Sequence, residues 1–194
     1  MSLRAIQLHM TRDEMMLEFQ LGESFWTAKA RLPSWAGYQS RHGAYGAVSS
    51  EDPSDGSVTV TFAPEGRDTS PLKEDELASV QWLLDHDSEI ASALLRALLA
   101  KYPEMQEDYD EEEREEYMPD VSSVDGFSVL IGLYNVNVHP LVKDGVPYFG
   151  YEFGCTWEEE HGLGALMHGT RVVEIGGADT AILLWLAKRD AGVT

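Results

Sequence analysis

Residues Tyr148 to Gly177 read YFGYEFGCTWEEEHGLGALMHGTRVVEIGG. Phe149, Tyr151, Phe153, Cys155 and Trp157 alternate with Gly150, Glu152, Gly154 and Thr156. That is the period-two pattern of a strand with one buried face. The second face carries two glycines beside Glu152 and Thr156, which leaves room for a strand, a helix or a ligand to approach closely. The aromatic row ends on Glu158-Glu159-Glu160-His161 and a glycine turn. Two further strands then meet near His168-Gly169, with Val173 and Ile175 expected on one face and Val172 and Glu174 on the other. Upstream, residues 129–138 are mostly apolar, and Lys143-Asp144-Gly145 marks a tight hairpin turn. The C-terminal part of the chain therefore reads as antiparallel hairpins.

The N-terminal part has the same character. Met15–Phe19, Phe25–Ala30 and Ser57–Phe62 are short runs of β-forming residues. They are separated by Gly22, by Pro33 through Gly46, and by the Asp52–Gly56 turn. Between the two strand regions the period changes to 3.6. Ser70 is a candidate N-cap followed by Pro71. Leu77, Val80 and Leu84, then Ile90, Leu94, Ala97 and Leu98, lie at helical spacing, with a break expected at His86-Asp87-Ser88 and an end near Tyr102-Pro103. Asp179 is a candidate cap for a last helix carrying Ile182, Trp185, Leu186 and Arg189, with Gly192 as its stop.

The fold expected is α+β: antiparallel sheet from the N- and C-terminal strand regions, in one piece or two, packed with a central helical segment at about 71–101 and a C-terminal helix. The organisation is a single unit over residues 1–194. A two-lobe variant divides it into 1–103, an acidic linker or exposed acidic helix at 104–120, and 121–194.

With 34 acidic and 14 basic residues the formal net charge is −20. Such a chain is a poor ligand for a phosphate backbone, where affinity comes from Lys and Arg, so nucleic acid is not an expected partner. A basic protein surface is. Residues 104–120 hold ten acidic side chains against Arg114 alone, nearly half the net charge. No apolar run has the length of a membrane span, residues 1–4 do not begin a secretory signal, and one cysteine excludes an internal disulfide framework. A cytoplasmic protein is expected.

Chemistry-bearing residues concentrate in the opening stretch. Glu158, Glu160, His161, His168 and Arg171 are the candidate binding residues. Cys155, His161 and His168 with a glutamate are metal-ligand types, but no CxxC or HExxH spacing is present, so no metal and no cofactor is expected. Adjacent glutamates favour unequal ionisation and so suit acid–base work, yet no nucleophile accompanies them. Cys155 among aromatics reads as a buried, inert thiol. No phosphate-binding glycine loop is spelled.

The run His139-Pro140-Leu141, Lys143-Asp144-Gly145, Tyr148–Phe153, then Cys155-Thr156-Trp157-Glu158-Glu159-Glu160-His161-Gly162-Leu163-Gly164, with Met167-His168 and Arg171-Val172-Val173, resembles an uncharacterised bacterial domain family with a C-x-W-[DE]-x-E-H-G-L-G core. The resemblance covers residues 120–180. It implies a bacterial cytosolic protein associated with toxin and immunity systems, and it implies no particular mechanism. The leading expectation is a non-enzymatic protein-interaction module of immunity type that binds a basic partner. Two alternatives stand beside it: a small-molecule or metal-dependent site centred on the Glu158–His161 turn, and a structural subunit of an oligomer.

Overall fold

A computed structural model describes residues 5–8, 17–41, 48–49, 52–62, 65–158 and 160–193. Met15, Met16, residues 42–46 of the Pro33–Gly46 connection and Glu159 lie outside them. The chain is α+β. Strands β1 (Ala5–Leu8), β2 (Leu17–Leu21), β3 (Trp26–Arg31), β4 (Ser40–Arg41), β5 (Val48–Ser49) and β6 (Ser57–Phe62) precede helices α1 (Glu74–Asp85), α2 (Asp87–Met105) and α3 (Glu111–Tyr117). Strands β7 (Ile131–Lys143), β8 (Val146–Cys155), β9 (Leu163–His168) and β10 (Arg171–Gly177) and helix α4 (Leu184–Ala191) follow. Among the described residues, eight strands form one sheet in the order β1-β2-β3-β6-β7-β8-β9-β10, and β4 and β5 form a separate two-stranded ladder.

Both strand regions thus share one sheet. They join where Thr59, Val60, Thr61 and Phe62 of β6 run parallel to Asn135, Val136, Asn137 and Val138 of β7. The other neighbours in the large sheet are antiparallel. The parallel pair needs a crossover, and α1, α2 and α3 provide it.

One face of the sheet holds the main core. Phe149, Tyr151, Phe153 and Cys155 of β8 are fully buried there with Val60, Val136, Leu163 and Met167. Each buried phenylalanine contributes about 1.5–3 kcal/mol by removal from water. Helix α2 covers them with Ile90, Ala91, Leu94, Leu95, Leu98 and Tyr102, the one-sided spacing of an amphipathic helix.

Several boundaries depart from the sequence reading. Ser70 does not cap α1. The Glu76 carboxylate accepts the Lys73 amide at 2.8 Å and pairs with Arg67 Nε at 2.6 Å, so the helix starts three residues beyond Pro71. The break falls at His86, whose backbone (φ −116°, ψ 17°) leaves the helix while its ring stacks on Trp82 at 3.9 Å. Pro103 does not end α2, which runs to Met105. Asp179 does not cap the last helix. A 3-10 turn at Ala178–Ala181 comes first, α4 begins at Leu184, and the Glu65 carboxylate accepts the Leu184 amide at 2.6 Å. Gly192 (φ 74°) stops α4 as expected.

Val173 and Ile175 do not share a face. A β-bulge between Val172 and Glu174 turns Val172 and Ile175 to the main core and Val173 to the smaller cluster of Tyr148, Leu166, Leu184, Leu186 and Ala187 beneath α4. The segment reaching α4 crosses the sheet's second face at close range. A Cβ on Gly150 would lie 1.7 Å from the Ala181 carbonyl oxygen, so the space beside Glu152 is filled at this point by backbone. The remainder of that face, across β3, β6 and β7, carries Thr27, Lys29, Thr59, Thr61, Asn135 and Asn137.

Candidate functional site

The five candidate binding residues separate into two groups, one at each end of β9. At its start, the Glu158 carboxylate accepts the His161 amide at 3.2 Å and faces its ring Nδ1 at 3.3 Å. Gly162 closes the turn, its amide donating to the Glu158 carbonyl at 2.9 Å with φ at 65°. A Cβ at Gly162 would also sit 2.5 Å from the Phe153 carbonyl oxygen. Glu160 and His161 face solvent.

At the far end of β9, His168 stacks on Tyr148 (4.4 Å) and approaches the Lys143 carbonyl at 3.2 Å. Arg171 bonds Asp190 of α4 at 2.5 Å, and the buried Tyr148 hydroxyl donates to the same carboxylate at 2.6 Å. The Arg171 guanidinium holds the Asp190 carboxyl below its ordinary value. Burial, then Asp190, pushes the Tyr148 phenol up. Arg171 and Tyr148 therefore clamp the hairpin tips to α4, while His168 ties β9 to the end of β7. A β9 of five steps puts them about 16 Å from the Glu158 turn, and the two groups do not converge on one pocket.

No group of three His, Cys, Asp or Glu among the described residues is placed to hold a metal ion. Cys155 is buried, its thiol lies 3.6 Å from the Glu158 carbonyl, and burial pushes its pKa up to about 12. A thiol so protonated is a packing group rather than a nucleophile.

The Glu158 turn meets a second acidic element. Residues 104–120, the stretch of linker or exposed acidic helix, are folded: the end of α2, a 3-10 turn at Gln106–Asp108, and α3, none of whose residues is buried. Asp110 caps α3 by accepting the Glu113 amide at 2.9 Å, and the Glu113 carboxylate in turn accepts the Asp110 amide at 3.2 Å. The flanks hold the helix in place. Buried Gln106 donates to the Met118 carbonyl at 2.7 Å, and Met118 is buried as well. Tyr109 donates to the Trp157 carbonyl at 3.2 Å, and Thr156 to the Tyr117 carbonyl at 2.6 Å. Burial raises the Tyr109 phenol first, and the charges of Glu158, Asp108 and Glu113 raise it further. The Tyr109 and Thr156 bonds thus bring the strand end that leads into the Glu158 turn against both flanks of α3. Sequence spacing could not show this, because 48 residues separate Tyr109 from Trp157.

A family model described as Domain of unknown function (DUF6985) matches residues 32–183, which include the whole turn motif, α3 and strands β4 to β10. The chain belongs to this family. No curated protein and no solved structure matches it. Within the DUF6985 region the motif is largely accounted for by packing and turn geometry: Cys155 and Leu163 are buried, Trp157 packs edge-on against Tyr102 at 5.6 Å, Glu158 and Gly162 shape the turn, and Gly164 lies under the Gly177 carbonyl. Glu160 and His161 are its outward-facing members.

The DUF6985 region holds a further polar centre that the sequence reading passed over. On the second face of the sheet, Glu152 Oε1 accepts Asn135 Nδ2 at 2.7 Å and Asn137 Nδ2 at 2.5 Å. Its Oε2 accepts the Tyr134 hydroxyl at 3.0 Å. Thr61 donates to Asn135 Oδ1 at 2.8 Å, extending the network across β6. The signal lay in the polar interruptions at Asn135 and Asn137 of an otherwise apolar strand.

Proposed function

We propose that this DUF6985 chain is a non-enzymatic protein-interaction module, of immunity type in a bacterial cytoplasm, whose acidic surface covers a basic site on a partner protein. The observation that supports the reading best is α3. A seven-residue helix with no buried residue is marginal by itself and adds nothing to the core. It is nevertheless capped and held at both flanks, and the Thr156 and Tyr109 bonds seat those flanks against the approach to the Glu158 turn. A scaffold that orders carboxylates at the surface raises association rate and selectivity for a positively charged face. The net charge of −20 acts in the same direction.

The test compares affinity capture by the wild type and by the triple variant Glu112→Gln, Glu115→Gln, Glu116→Gln at low and high salt. A partner rich in Lys and Arg, retained by the wild type at low salt and released by salt or by the triple variant, supports the reading. Retention of no protein at low salt, or equal retention by the variant, defeats it.

A further inference from the structure

The Glu152 carboxylate is partly buried, oriented by three neutral donors, and takes part in no ion pair among the described residues. Carboxylates withdrawn from water are usually paired with a cation. The cation in its own row is Lys29, because Lys29 pairs with Thr59, Thr59 with Asn135 and Asn135 with Glu152. Three strand spacings separate the two backbones, and the Lys29 ammonium, leaning onto Thr59, still stands two spacings, about 10 Å, from Glu152, outside a Debye length of about 8 Å at physiological salt. Its ammonium is already engaged by the Thr59 hydroxyl at 2.7 Å.

We infer that Glu152 receives a lysine side chain of the bound partner on the polar second face of the sheet. This rests on the basic partner proposed above, but not on the acidic helix. The existing bonds select the cation. A carboxylate offers about four acceptor positions, two on each oxygen. Asn135 and Asn137 fill both on Oε1, and Tyr134 fills one on Oε2, so among the described residues a single position is left. A guanidinium binds a carboxylate through two parallel bonds and needs a free position on each oxygen. An ammonium is a point charge that needs only one. The two asparagines that orient the carboxylate thereby exclude the fork and admit the ammonium. The Ala178–Ala181 backbone, packed on Gly150 next to this row, walls one side of the site.

The experiment is an NMR titration of the full chain with N-acetyl-lysine methylamide and N-acetyl-arginine methylamide, reading the side-chain amide signals of Asn135 and Asn137. The lysine analogue is expected to shift both signals saturably, and the arginine analogue to bind several-fold more weakly. Glu152→Gln should abolish the response. The variant keeps an oxygen for the two asparagine amides and turns its own amide towards Tyr134, so the network and the fold survive, which its backbone spectrum checks. The triple α3 variant should respond as the wild type does. The inference is overturned if the lysine analogue leaves the two signals unmoved, if the arginine analogue binds as well, or if a small diamine without a peptide backbone binds more tightly than the lysine analogue. Partner capture separates the two ideas. If Glu152→Gln captures the partner normally while the triple variant does not, the lysine site falls and the acidic-helix reading stands.

Discussion

The Thr156 hydroxyl donates to the Tyr117 carbonyl at 2.6 Å, and through that bond the end of the aromatic strand β8 holds the C-terminal end of the acidic helix α3. The Thr156 amide also donates to the Leu130 carbonyl at 3.0 Å, so one residue ties the helix, the start of β7 and the Glu158 turn together. Thr156→Val keeps the shape and removes the hydroxyl. It is expected to cost about 1 kcal/mol in urea unfolding and to speed amide exchange in residues 111–120 selectively. Exchange that accelerates evenly over the whole chain would show that the bond does not govern the helix.

Neutralising α3 should leave stability alone. Glu112, Glu115 and Glu116 are exposed. The triple glutamine variant is expected to unfold at a urea midpoint within about 0.5 kcal/mol per substitution of the wild type, while its capture of the basic partner drops. A large loss of stability would mean that α3 carries packing energy that its exposure denies.

Gly150 is required by its neighbour rather than by its dihedrals. Alanine there would drive a methyl into the Ala181 carbonyl, 1.7 Å away, and the crossing backbone would have to lift. Gly150→Ala should lose about 1–3 kcal/mol and expose Tyr148 and Leu166 beneath α4. Gly22→Ala, whose Cβ would meet the Phe25 carbonyl at an ordinary 3.6 Å, is the tolerated control. Chemical denaturation of the pair settles the comparison.

The Asp190 clamp predicts an acid response. Arg171, then Tyr148, holds the folded-state carboxyl below the unfolded value of 3.8. The stability it supplies is complete above that value and is lost as pH falls through the lower folded one. Exchange protection of residues 184–191 should therefore decline on acidification below about pH 4. Asp190→Asn should begin less protected and show no such step.

Tyr151 and Asp87 make the opposite case. The Tyr151 hydroxyl and Asp87 Oδ1 are buried without hydrogen-bond partners among the described residues. Tyr151→Phe is expected to be neutral or stabilising, since it removes an unsatisfied group. Burial raises the Asp87 carboxyl, outweighing the Ser34 bonds that lower it. A raised value gives stability that is greatest below the unfolded pKa and is lost as pH rises through the folded one. Asp87→Asn should flatten that part of the stability profile in pH-dependent denaturation.

Local signals were legible in the sequence because they act locally. The alternation of Phe149, Tyr151 and Phe153 placed their face in the core, Asp144-Gly145 made the hairpin (φ 54° and 78°), and the helix broke at His86. Features decided by remote partners were not legible. Arg67 and Glu76 displaced the α1 cap from Ser70, and the bulge at β10 moved Val173 away from Ile175. The candidate site divided in the same way. The Glu158–His161 turn was visible as a motif, while its union with α3 and the closure of Asn135 and Asn137 on Glu152 depend on pairings across the chain.

The parallel register of β6 on β7 has a kinetic consequence. β1, β2, β3 and β6 meet one another through antiparallel pairings, as do β7 to β10, and those in the second group follow in sequence and close over short turns. Within the large sheet of the described residues, only β6 and β7 must find each other across the entire helical crossover, and loop-closure entropy makes that the expensive step. The β7–β10 meander is thus expected to assemble early and serve as the template on which the N-terminal strands dock. Substitutions at Val60 or Val136 should slow folding more than equally buried ones at Leu163, and a chevron series reads that difference directly.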